Sequence, residues 1–160
     1  MNNTASTQHW PEGELTRVPY WVYQDESVRR LEQERIFEGP AWNYLCMDIE
    51  LAAPGDWLAT FVGELPVVVT RDASGALRAF ENRCAHRGAL ICLDSSGRAG
   101  DDGRLTCAYH NWTYDLEGNL KSIAFQRGVR GQGGMPGDFD MAAHGPRKLR
   151  VTVLCGMVFG

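Results

Sequence analysis

Two short pairs, Cys84-Ala85-His86 and Cys107-Ala108-Tyr109-His110, constrain the fold of this 160-residue chain more than any other feature. In Cys84-x-His86 the side chains stand at i and i+2, so an extended segment directs both to one side of the backbone. In Cys107-x-x-His110 the two intervening residues suit a tight turn that can do the same from the other side. Bringing the pairs together requires two loops clamped face to face, each presenting one sulfur and one imidazole.

That donor set has a specific chemistry. Iron–sulfur clusters are normally held by four thiolates, and in the Rieske variant two imidazoles replace two cysteines on one iron, which raises the reduction potential. Each loop would give its Cys to the inner iron and its His to the outer one, leaving the imidazole edges nearest solvent or a partner. Electron transfer is the function this pattern implies. A structural zinc is the competing reading. Zinc sites, however, favour a Cys-x2–4-Cys pair followed by His-x3–5-His, whereas Cys and His alternate here.

With 44% hydrophobic and 22% charged residues, the chain can bury one core as a single compact domain. A net charge of −4 with scattered Lys and Arg argues against nucleic acid as a partner. The longest apolar run, Val151–Phe159, falls far short of the ~20 residues of a membrane-spanning helix. Residues Met1–Trp10 show no apolar signal region. A cytoplasmic location, away from any membrane, is expected. Cys46, Cys92 and Cys155 lie in apolar segments and are expected to be small buried hydrophobes. His9 and His144 have no partner at ligand spacing and are expected at the surface.

Along the chain, a polar arm precedes a short helix capped by Asp25, with Val28, Leu31 and Ile36 or Phe37 as its apolar stripe and Gly39-Pro40 as its stop. From Trp42 the signals are β: Trp42–Cys46, Trp57–Val62, Leu65–Arg71 and Leu77–Glu81 are short and rich in β-branched or aromatic residues. Gly63-Glu64 and Asp72–Gly75 are hairpin turns, so an antiparallel meander follows. Leu77–Asn82 leads into the first ligand loop, Arg104–Thr106 leads into the second, and Trp112–Asp115 leaves it. Ser95–Gly103 reads as an exposed connector and Gly128–Gly137 as an irregular loop, with neither the strand nor the Lys-Ser/Thr that a phosphate cradle needs. Lys148–Phe159 reads as one final strand.

The stretches Asn82-Arg83-Cys84-Ala85-His86-Arg87-Gly88 and Cys107-Ala108-Tyr109-His110-Asn111-Trp112-Thr113-Tyr114 resemble the Rieske domain of aromatic-ring-hydroxylating dioxygenase large (α) subunits. The resemblance runs from Arg17-Val18-Pro19 to Gly156-Met157-Val158-Phe159-Gly160. Gly131–Pro136 and His144–Leu149 are most similar to the terephthalate, anthranilate and salicylate branch. It implies a mainly β, antiparallel Rieske-type fold with two cluster-binding loops and a short N-terminal helix. Residues 1–40 would be the arm and helix, and 41–160 the 2Fe–2S domain.

By resemblance, Cys84 and Cys107 bind one iron and His86 and His110 the other, with two bridging sulfides. Arg87 and Gly88, with Asn111 and Trp112, would offer backbone N–H groups to the sulfurs, and Tyr109 and Trp112 would cover the cluster. Respiratory relatives carry a disulfide at the positions of Ala89 and Tyr109, so a low potential is implied, toward the ~ −150 mV end of the Rieske range. The family's catalytic Fe(II) takes two histidines and a carboxylate. This chain has only His9, His86, His110 and His144 and no His-x4-His pair. It is therefore expected to be the electron-relay part of a longer subunit, inactive in hydroxylation alone and holding no catalytic residue. Its electrons would come from a ferredoxin or reductase, in an α3 or α3β3 assembly acting on an aromatic carboxylate. A stand-alone Rieske ferredoxin, or the N-terminal domain of a Rieske monooxygenase or demethylase, would share the motif.

Overall fold

The computed structural model describes residues 9–10, 12–13 and 16–160, and the chain divides into two compact units, 1–41 and 42–160. In the first unit, Asp25 caps α1 (Glu26–Glu32) as anticipated. Its carboxylate accepts the backbone N–H of Ser27 at 2.7 Å and of Val28 at 3.3 Å, satisfying donors that the first turn leaves free. The helix runs on into one π turn, Gln33–Phe37. Val28 is half-buried, whereas Leu31, Ile36 and Phe37 are exposed.

The second unit is built on antiparallel strands: β1 (Tyr44–Met47), β2 (Asp56–Val62), β3 (Leu65–Arg71), β4 (Leu77–Glu81), β5 (Ser96–Arg98), β6 (Arg104–Thr106), β7 (Thr113–Asp115), β8 (Leu120–Ser122), β9 (Lys148–Leu149), β10 (Thr152–Leu154) and β11 (Met157–Phe159). They form a five-stranded sheet ordered β5-β2-β3-β4-β9 and two three-stranded sheets, β1-β11-β10 and β6-β7-β8.

Strand β3 explains this arrangement. Successive side chains of a strand point to opposite faces, and Val67, Val68 and Val69 are all fully buried. Val67 and Val69 pack with Leu45, Cys46, Leu51 and Val158 on one face, while Val68 and Phe80 pack with Cys84, Cys107, Trp112 and Tyr114 on the other. A strand covered on both faces reads as a continuous apolar run rather than an alternation. Each such side chain contributes roughly 1.5–3 kcal/mol of burial. The second of these cores carries Cys84 and Cys107, so the two Cys/His loops are anchored in the core that holds the sheets together.

Both anticipated hairpins form. Val62 pairs with Leu65 around Gly63-Glu64, and only Gly63 takes a positive φ, 56°. In the β3–β4 turn, the Asp72 carboxylate accepts the N–H of Ser74 (2.8 Å) and Ala76 (3.0 Å) and pairs with Arg78 at 2.8 Å.

Three expectations are corrected. The 95–103 connector is exposed but contains strand β5, which pairs with β2. Gly97 lies so close to Trp57 that a Cβ there would come within 2.6 Å of the indole, so a glycine that reads as loop is what lets the strand pass. The apolar run 148–159 is three strands rather than one. It is broken at Cys155-Gly156, where φ values of 51° and 77° form a tight hairpin between Leu154 and Met157. That turn directs Cys155 outward: it is exposed, not buried, whereas Cys46 and Cys92 are buried as expected. Gly128–Gly137 is irregular, closed by an isolated Val129–Gln132 bridge.

Candidate metal centre

The two Cys/His loops reach the same place by different routes. The second is the tip of the β6–β7 hairpin, where paired strands bring its ends together. Cys107 N–H donates to Trp112 O (2.9 Å) and Asn111 N–H to Cys107 O (3.0 Å), with Asn111 in the left-handed region at φ 53°. The first leaves β4 and returns into Ile91–Cys92, which belong to no strand. Inside it, Cys84 N–H donates to Ala89 O (2.7 Å) and Gly88 N–H to Cys84 O (2.8 Å).

The four anticipated donors converge as two pairs. Cys84 and Cys107 are buried, 4% and 1% exposed, in one and the same core. Outside them, the imidazoles of His86 and His110 meet edge to face with Nδ1 atoms 3.1 Å apart. Two nitrogens held about 2.0–2.1 Å from one tetrahedral ion stand roughly 3.3 Å apart, so these two can share one metal. Among the described residues, no three Cys, His, Asp or Glu side chains gather around a single point. The loops thus present a buried sulfur pair and, outside it, a nitrogen pair.

Aromatic rings wrap the imidazoles. Trp112 is buried and stacks on His86 at 5.0 Å and 13°, whereas Tyr109 is exposed and lies 3.9 Å from the His110 ring, with the Arg87 guanidinium 5.7 Å from its own centroid. Phe139 meets Trp112 edge-on at 6.1 Å, and His144 packs on Phe139 at 4.2 Å. His144 is therefore half-buried in this aromatic row, not simply a surface histidine; His9 is exposed as expected.

The backbone donors differ from expectation. The N–H groups of Gly88 and Asn111 go to the carbonyls of Cys84 and Cys107, which tightens each loop. The Cys84 sulfur instead contacts the hydroxyl of Tyr114 at 3.2 Å. Because that hydroxyl already accepts Ala85 N–H at 3.0 Å, its own proton is free to point at the sulfur. Burial pushes the Cys84 thiol up, against the pull of Tyr114 and His86, so a metal must displace its proton. Burial and the bond to Cys84 hold Tyr114 protonated, hence a donor. Burial, then repulsion from His110 and Arg87, lowers His86 and favours the neutral imidazole that can ligate.

Motif reading gave no role to Tyr114, or to Asn82, whose carboxamide oxygen accepts the N–H of Ile91 and Cys92 where the first loop returns. Tyr114 lies on β7 two residues after Trp112, and both are buried in the same core, so that spacing is the available signal.

A family model described as the Rieske 2Fe–2S domain matches residues 41–131. The chain is 52% identical over 151 residues to the α 2 subunit of the terminal oxygenase component of terephthalate 1,2-dioxygenase from Comamonas sp, covering 94% of this chain and 36% of that protein. It is 51% identical over 155 residues to the large subunit of anthranilate 1,2-dioxygenase from Burkholderia cepacia, covering 97% and 36%. A solved structure of naphthalene 1,2-dioxygenase with indole in its active site superimposes with a TM-score of 0.77 at 29% identity, covering 88% of this chain and 30% of that one. The chain thus spans about a third of the length of each of these proteins.

Proposed function

The chain belongs to the Rieske 2Fe–2S domain family, and from that membership we propose that it is the electron-relay portion of an aromatic-ring-hydroxylating dioxygenase α subunit. Cys84 and Cys107 would hold the inner iron and His86 and His110 the outer one. A cluster so bound supplies one electron at a time at a potential set by its ligands and hydrogen bonds. The observation that carries this reading is the nesting of donors, with the sulfur pair buried in the core and the two Nδ1 atoms facing each other 3.1 Å apart outside it.

The residues around the donors serve that role. Trp112, stacked on His86, keeps water from one imidazole face, and Tyr109 covers His110. The exposed edge of His86 leaves one approach to the site open to a protein partner. Electrons would come from a ferredoxin or reductase and pass to a mononuclear non-haem iron outside these 160 residues. Partners would be neighbouring α subunits, with or without β subunits, as α3 or α3β3. Two of the relatives are named for aromatic carboxylates, terephthalate and anthranilate, which supports an aromatic carboxylate as the substrate. With Ala89 and Tyr109 in place of a cystine, a low potential follows. A cytoplasmic setting is part of the same reading; among the described residues, no helix is long and apolar enough to cross a membrane.

The test is metal and sulfide analysis of the purified protein with electron paramagnetic resonance after reduction. Equal iron and sulfide with the signal of a mixed-ligand two-iron cluster is the expected result. A colourless zinc protein would end the proposal, and a clearly positive potential would remove the low-potential part of it.

A further inference from the structure

The two ligand loops are closed by different devices. The second is cinched by paired strands on both sides, β6 and β7. The first is closed at its tip by the bond from Cys84 N–H to Ala89 O, but it has a strand on one side only, so strand pairing does not fix its base. One side chain does this instead. Asn82, 3% exposed, follows β4 and stands two residues before Cys84. Its Oδ1 accepts the backbone N–H of Ile91 at 3.1 Å and of Cys92 at 2.9 Å, and its Nδ2 donates to Cys92 O at 2.9 Å. Its own N–H donates to Pro66 O on β3 at 2.8 Å, which ties this knot to the central sheet. Both ends of the loop carrying Cys84 and His86 are thereby joined through a single buried carboxamide.

We propose that Asn82 is a positioning residue that holds the first loop, and through it Cys84 and His86, in register with Cys107 and His110. This rests on the ligand assignment above. Truncating Asn82 would orphan two buried N–H groups and one carbonyl, and the loop base would open to satisfy them. Residues that orient metal ligands typically change metal affinity by about 10–100-fold when removed.

The experiment compares Asn82→Ala, Asn82→Asp and, as a destabilised control remote from the loop, Asp72→Asn, all in the cluster-loaded protein. Chelator-driven iron loss and the linewidth of the reduced paramagnetic signal are read beside the melting temperature. Asn82→Ala is expected to lose iron at least about tenfold faster and to broaden the signal, because the imidazole pair is no longer held in one geometry. Asn82→Asp keeps the two accepted bonds but turns a carboxylate oxygen toward the Cys92 carbonyl in place of the donated bond, so iron loss accelerates by about three- to tenfold. Asp72→Asn lowers the melting temperature and leaves both readouts unchanged. If Asn82→Ala melts earlier but keeps the parental linewidth and iron-loss rate, Asn82 only stabilises the fold and the proposal fails. Should Asn82→Ala not fold, Asn82→Asp decides alone, and iron loss at the parental rate overturns the proposal. A parental protein without iron would remove the ligand assignment itself, a separate failure visible before any variant is made.

Discussion

Replacing Tyr114 by Phe removes one oxygen from a fully buried ring and should lower the reduction potential by a predictable amount. The hydroxyl stands 3.2 Å from the Cys84 sulfur and takes Ala85 N–H, so its proton serves the sulfur. Net hydrogen bonds contribute about 0.5–1.5 kcal/mol between neutral partners and about 1.5–3 kcal/mol when one partner is charged. Reduction adds negative charge beside the sulfur, so this bond should strengthen by about 1 kcal/mol between the two oxidation states. For a one-electron couple, where tenfold corresponds to 59 mV, that is about 40 mV. Tyr114→Phe should therefore make the cluster harder to reduce by about 40 mV in a redox titration followed by visible absorbance. The same change orphans Ala85 N–H and should cost about 1–3 kcal/mol of stability in urea. A potential that stays put or rises would show that the hydroxyl proton points elsewhere, and would refute the reasoning even if stability fell.

Three further outcomes are expected. At Asp72, burial alone would raise the carboxyl, but bonds from Ser74, Arg78 and Ala76 outweigh it and lower its pKa to about 2 from 3.8. A depressed folded-state value means stability that is present above about pH 4 and lost as pH falls toward 2. The difference corresponds to at most about 2.5 kcal/mol, less because Arg78 is 45% exposed and screened. Urea unfolding of Asp72→Asn should therefore show a deficit at pH 7 that narrows at pH 3, and a deficit independent of pH would count against the assignment. Gly118→Ala should destabilise by about 1–3 kcal/mol, since its φ is 79° and a Cβ would lie 2.9 Å from the Phe80 ring; calorimetry with an unchanged melting temperature would contradict the packing. Finally, His110→Ala should purify without the mixed-ligand signal, and retention of that signal would exclude the imidazole pair as ligands.

The chain's local chemistry was legible where it is written in contiguous residues. Asp25 before α1, Gly63-Glu64 between two apolar runs, and the two Cys/His pairs are short-range signals, and each acts at the place it occupies in the sequence. Errors arose where a signal depended on a neighbour distant in the chain. Gly97 reads as connector because nothing nearby reveals that Trp57 lies across it. Cys155 reads as core because an apolar run does not show where it turns back on itself. His144 reads as surface because Phe139 and Trp112, which bring it toward the site, gain their meaning only in three dimensions.

The four candidate donors and their order along the chain are properties of the sequence, because side-chain identity and loop spacing are covalent facts. Their sorting into a buried sulfur pair and an outer nitrogen pair came from packing: Val68 and Phe80 on one face of the central sheet pull the cysteines into a core that the imidazoles overhang. The hydrogen bonds that Tyr114 and Asn82 make around the two loops were likewise a matter of folding. Tyr114 lies thirty residues from Cys84 and Asn82 ten from Cys92, and only the closed sheets bring such groups within bonding distance. Hydrogen bonds act over about 3 Å, whereas a chain's order says which groups exist but not which will meet.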